Sequence, residues 1–143
     1  MHKVERSALV NYSAQQMFEL VNDIEAYPQY MEGCVGAKVL ARGEDWVEAR
    51  LELSKAGVTQ SFVTRNQLQA PQLMSMQLVE GPFKRLQGAW RFTPLNDTAC
   101  KVSFSLEFEL QNRLLGMAVG KLFESVSNKQ VDALCARAQQ IYR

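Results

Sequence analysis

Cys100-Lys101-Val102-Ser103-Phe104-Ser105-Leu106-Glu107-Phe108-Glu109-Leu110 alternates apolar and polar residues without a break. Cys100, Val102, Phe104, Leu106, Phe108 and Leu110 share one face, and Lys101, Ser103, Ser105, Glu107 and Glu109 share the other. From Arg113 to Tyr142 the chain then reads as one uninterrupted helical pattern. Its apolar stripe runs through Leu115, Val119, Leu122, Phe123, Val126, Leu134, Ala138 and Ile141. A period of 2 handing over to 3.6 predicts a strand with one apolar face and a helix able to cover it. At 1.5 Å per residue, about 28 residues of that helix span roughly 42 Å, enough to lie across a sheet.

Upstream, Val4 to Val10 alternates as a first strand. Ser13, with Gln16 three residues on, forms a capping-box signature ahead of Met17, Phe18, Leu20, Val21 and Ile24 at helical spacing. Pro28 stops or redirects that helix. Further strands are predicted at Val35 to Ala41, Trp46 to Leu53, Val58 to Leu68, Leu73 to Val79 and Phe83 to Phe92, with Pro94-Leu95-Asn96-Asp97 ending the last. Tight turns between successive strands imply an antiparallel meander. The fold class is α+β: a curved seven-stranded antiparallel sheet wrapped around a long C-terminal helix, as a single domain over residues 1–143.

Composition narrows the function. The 143 residues are 47% apolar with a formal net charge of +1, which suits a globular core and disfavours DNA binding. No apolar run reaches the roughly 18–20 residues of a membrane span, and the first residues lack the apolar region of a secretory signal. The expectation is a cytoplasmic protein with at most peripheral membrane contact. Cys34, Cys100 and Cys135 form no C-x-x-C pair and are odd in number, so they read as reduced, buried thiols.

Catalytic groups are scarce. The single histidine, His2, falls at an end expected to be loose. No nucleophile elbow, phosphate loop or dinucleotide fingerprint occurs. Cys34 lacks a histidine base. Tyr12, Tyr27, Tyr30 and Arg65 could polarise a carbonyl, but nothing singles one out. The expectation is a binding module rather than an enzyme, with no catalytic residue, metal or cofactor.

Gly116 and Gly120 interrupt the start of the long helix, where each glycine costs about 1 kcal/mol against alanine. Either the helix backbone packs closely on the sheet, or space is left beside it. An empty apolar void of roughly 300 Å³ would cost on the order of 7 kcal/mol, so a pocket of that size would be collapsed, wet or occupied.

Three segments resemble a known family: Val21 to Cys34, with Tyr27-Pro28 followed by Gly33-Cys34; Ser54-Lys55-Ala56-Gly57 with Phe62 to Asn66; and Val79 to Leu95, containing Gly81-Pro82-Phe83 and Trp90. The family is the coenzyme Q-binding, START-like group, also labelled polyketide cyclase/dehydrase-like, and the nearest branch is that of ribosome association toxin A. The resemblance implies a helix-grip fold with a hydrophobic tunnel between sheet and helix. It implies binding of ubiquinone or a polyprenyl lipid in support of respiration. It also implies association with the large ribosomal subunit as a translation-inhibiting toxin, and a small ubiquitin-like antitoxin as partner. A polyketide cyclase or dehydrase enzyme is the alternative.

On that reading the tunnel is lined by Phe62, Trp90, Phe104, Leu106, Val119, Phe123 and Val126, with Tyr27 and Pro28 at its mouth. Lys55, Lys84 and Arg85 are the candidate partner contacts. The family often has Phe-Leu-Pro where this chain has Tyr30-Met31-Glu32. That departure is expected to free the loop and put a charge at the mouth.

Overall fold

The computed structural model describes residues 2–111 and 113–142. Seven strands form one antiparallel sheet: β1 (His2–Val10), β2 (Cys34–Arg42), β3 (Trp46–Lys55), β4 (Val58–Gln69), β5 (Leu73–Glu80), β6 (Phe83–Asn96) and β7 (Ala99–Leu110). Their order is β1-β7-β6-β5-β4-β3-β2. All neighbours except β1 and β7 are therefore consecutive in sequence, as a meander requires. Helix α1 (Ala14–Asn22) and a short 3-10 helix (Ile24–Gln29) connect the two outermost strands. Helices α2 (Arg113–Asn128) and α3 (Gln130–Tyr142) pack along the inner face of the curved sheet, the helix-grip arrangement.

Local signals explain several boundaries. Ser13 caps α1 by accepting from the Gln16 amide, while the Gln16 side chain accepts from the Ser13 amide. The inward face of β7 is the core wall: Cys100, Val102, Phe104, Leu106 and Phe108 are all buried. An aromatic cluster lies between sheet and α2. Phe123 meets Phe83 at 4.7 Å and Phe62 at 5.1 Å between ring centroids, both edge-on, and Phe83 meets Phe108 at 5.7 Å. Edge-to-face contacts of this kind suit the ring quadrupoles.

Four expectations are corrected. The C-terminal helical run is interrupted at Lys129, where the Lys129 amide donates to the Val126 carbonyl, one residue closer than an α-helix would have it. Ile141, assigned to the buried stripe, is 51% exposed, while Leu115 falls outside the described side chains. Pro94 does not end β6: it pairs with Cys100 of β7. Ladder pairing of β5 with β6 stops at Leu73–Arg91, and the Phe92 amide takes the Gln72 carbonyl. Pro94 therefore turns its missing donor to an open flank, where no ladder bond is lost.

The fourth correction concerns His2, which is held rather than loose. Its imidazole stacks on Phe108 at 4.8 Å and 7° between planes, and its Nδ1 lies 2.6 Å from Glu124 Oε1 of α2. A Cβ on Gly120 would sit 3.3 Å from both His2 Cε1 and Leu110 Cδ1, so this glycine serves close packing. Among the described residues no helix is long and apolar enough to cross a membrane.

Candidate functional site: an internal cavity between sheet and helices

A cavity of about 50 Å³ lies between the inner face of β3–β7 and the helices. Strand register builds its wall. Leu51 faces Phe62, Ala49 faces Thr64, Asn66 faces Met76 and Trp90 faces Phe104 across neighbouring strands. Gly88 lies between Met76 and Leu106, where a Cβ would come within 3.1 Å of either side chain. Its lack of a side chain lets both reach the cavity. The remaining lining comes from Leu86, from Ile24 and Tyr27 of the 3-10 helix, and from Phe123, Ser127 and Gln130 at the α2–α3 junction.

Six of the nine expected lining residues surround this space: Tyr27, Phe62, Trp90, Phe104, Leu106 and Phe123. Trp90 and Phe104 touch with centroids 4.6 Å apart. Pro28 is exposed on the 3-10 helix, Val119 is buried in the core outside the cavity lining, and Val126 packs on Gly33. Of the four groups considered for polarising a carbonyl, only Tyr27 lines the cavity, and its hydroxyl donates to the Val21 carbonyl. Burial pushes the Tyr27 phenol well above its ordinary pKa, so it stays a neutral donor. Arg65 stacks outside over Trp46 at 4.1 Å, Tyr12 leans on Tyr142, and Tyr30 lies under the Arg137 guanidinium at 5.2 Å.

The polar lining went unread in the sequence. Thr64 and Asn66 share the inward parity of Phe62 and Leu68 on β4, and both are buried, as is Ser127. Thr64 Oγ1 donates to Asn66 Oδ1 at 2.9 Å. Alternation alone would have found them, had polar residues been counted among the inward set.

A charged clasp ties down the loop after the 3-10 helix. Glu32 Oε2 meets Lys129 Nζ at 3.2 Å, and Glu32 Oε1 meets Lys55 Nζ at 3.8 Å. Lys55 Nζ also donates to Ser125 Oγ at 2.7 Å. The loop after the 3-10 helix, the β3–β4 turn and the helix junction thus meet at one carboxylate. The expected loosening of Tyr30-Met31-Glu32 is reversed: Met31 is buried and Glu32 is the clasp. The Lys129 hydrogen bond, with the Lys129 and Lys55 charges, holds the Glu32 carboxyl below its usual pKa. Cys34, beneath the loop, is buried, and desolvation raises its thiol pKa, which keeps it a thiol rather than a nucleophilic thiolate.

Lys84 is exposed at the β5–β6 hairpin with no ion pair among the described residues. Arg85 Nε approaches Glu109 Oε2 at 3.7 Å, and Lys55 belongs to the clasp.

The family model for polyketide cyclase / dehydrase and lipid transport matches residues 10–135. The chain belongs to this family. Its relatives in the family differ in what their names say. Ribosome association toxin RatA of Escherichia coli K12 is 44% identical over 142 residues, covering 99% of this chain and 90% of the toxin. The mitochondrial coenzyme Q-binding protein COQ10 homolog B of Xenopus laevis is 26% identical over 141 residues, covering 95% of this chain and 57% of that protein. Among solved structures, the Zhui aromatase/cyclase of a Streptomyces species superposes with a TM-score of 0.86 at 18% identity, over 99% of this chain and 96% of its own. That likeness establishes the shared helix-grip fold of the family.

Proposed function

We propose that this chain binds a hydrophobic, lipid-like ligand of ubiquinone or polyprenyl type between sheet and helices, in support of respiration. The observation that carries this reading is the aromatic-rich cavity between Trp90, Phe104 and Phe123. Each apolar ligand segment removed from water there contributes about 25 cal/mol per Å². At about 50 Å³ the cavity is well below the roughly 300 Å³ of ordinary ligand pockets, so ligand uptake displaces lining side chains. The described lining holds no histidine, cysteine or carboxylate, which favours binding over a cyclase or dehydrase reaction. Organic extraction of the purified protein followed by mass spectrometry tests this. A co-purifying isoprenoid or quinone is expected; no extracted lipid together with no quinone uptake overturns it.

A second, compatible role is association with the large ribosomal subunit in the cytoplasm, inhibiting translation, with a small ubiquitin-like protein as antitoxin. Kinship over 99% of this chain with a ribosome association toxin supports it. Lys84 is the freest of the three candidate contact cations. Sucrose-gradient sedimentation is expected to show co-migration with large subunits. Lys84→Glu with Arg85→Glu should weaken that co-migration, and rising salt should weaken it for the parent chain. Protein that stays at the top of the gradient at moderate salt overturns the role.

A further inference from the structure

We propose that the Thr64–Asn66 pair docks an uncharged, hydrogen-bond-accepting head group, a carbonyl oxygen of the bound lipid. This inference rests on the lipid-binding reading above and specifies the ligand class.

Asn66 is 4% exposed on an inward strand face that it shares with Phe62, Leu68 and the buried Thr64. Burying a carboxamide is costly unless its hydrogen bonds are made, and a leucine there would serve the fold alone as well. Its oxygen is already occupied by the Thr64 hydroxyl. Its nitrogen, with two N–H donors, has among the described residues only the Met74 thioether at 3.7 Å, a weak acceptor. Donor capacity is therefore left over in a residue that lines the cavity. The Thr64 bond also fixes which end of the amide is spent, so the side presented for a ligand is the donating one.

The cavity chemistry then excludes charged head groups. Its described lining contains no lysine, arginine or histidine to balance a carboxylate or phosphate, and no carboxylate to balance an amine. Burying an unpaired charge there would be prohibitive. Ser127 and Gln130 on the helix side add neutral hydrogen-bonding capacity only. What remains is a neutral head bearing carbonyl oxygens, followed by an apolar chain.

The test compares three probes with one tail length on the full chain, by calorimetry: decylubiquinone, decylbenzene and decanoate. The parent protein is expected to favour decylubiquinone over decylbenzene by about tenfold, the scale of one well-made hydrogen bond, and to bind decanoate most weakly. Asn66→Leu should erase that preference, so that the variant binds decylubiquinone no more tightly than decylbenzene. Should Asn66→Leu fail to fold, Thr64→Val, which releases the amide, is expected to cut the preference at least to about a third. Equal binding of the quinone and decylbenzene by the parent overturns the head-group assignment, as does a preference that survives the substitution, or decanoate binding as tight as the quinone. In each of these cases lipid binding itself still stands. Failure of all three probes to bind overturns the lipid-binding reading itself.

Discussion

Gly33 lies so close to Val126 that a Cβ on the glycine would stand 2.6 Å from Val126 Cγ2. Its φ of +89° is also a conformation that side-chain-bearing residues rarely adopt. The loop carrying the Glu32 clasp is therefore seated directly on α2. Gly33→Ala is expected to lower unfolding free energy by about 1–3 kcal/mol, read by chemical denaturation. Val126→Ala in the same chain removes the steric part but not the backbone strain. The double variant should therefore be less destabilised than the two single losses added together; strict additivity would mean the two residues do not bear on each other.

The Glu32 clasp is pH-sensitive. Because Lys129 and Lys55 lower the folded-state pKa of Glu32, its contribution is present above the ordinary carboxylate pKa. It is lost as pH falls through the lowered value. An NMR titration should place the Glu32 midpoint below the usual carboxylate range. Lys129→Met should move it back upward, and Glu32→Gln should abolish the acid-induced rise in amide exchange across residues 29–33. A midpoint unmoved by Lys129→Met would mean the pair does not persist in solution.

Phe123 joins the aromatic cluster to the cavity wall. Phe123→Ala is expected to cost about 3–5 kcal/mol of stability in denaturant melts. The same change enlarges the cavity, so uptake of a small apolar fluorophore should rise even as the protein weakens.

His2 and Glu124 bind β1 to α2, but their side chains are 38% and 44% exposed, which screens the pair. His2→Ala should cost no more than about 1 kcal/mol. Its clearer signature is local: faster amide exchange at Lys3 and Val4, with little change at β7.

The strands were legible where one face is drier than the other, as in β7, where Cys100, Val102, Phe104, Leu106 and Phe108 are buried and the residues between them are not. The Ser13–Gln16 box was legible because capping is local chemistry. Lys129 was not: no glycine or proline marks it, and the apolar stripe runs through the interruption. The clasp was invisible for a different reason, since Glu32, Lys55 and Lys129 meet only after three separate elements pack. Asn66 was legible by parity alone, since its polar side chain gives an inward position no hydropathy signal.

The pairing of β1 with β7 joins His2 to Phe108, so the sheet closes only between strands about a hundred residues apart. At synthesis rates of about 5–20 residues per second, β1 waits on the order of 5–20 s for its partner to be made. Throughout that interval the apolar side of β1 and the unfinished β2–β6 meander lack their seventh strand and both covering helices. Newly made chains should therefore depend on chaperones more than the stability of the finished fold would imply, and truncation before Leu110 should yield aggregates rather than a smaller domain.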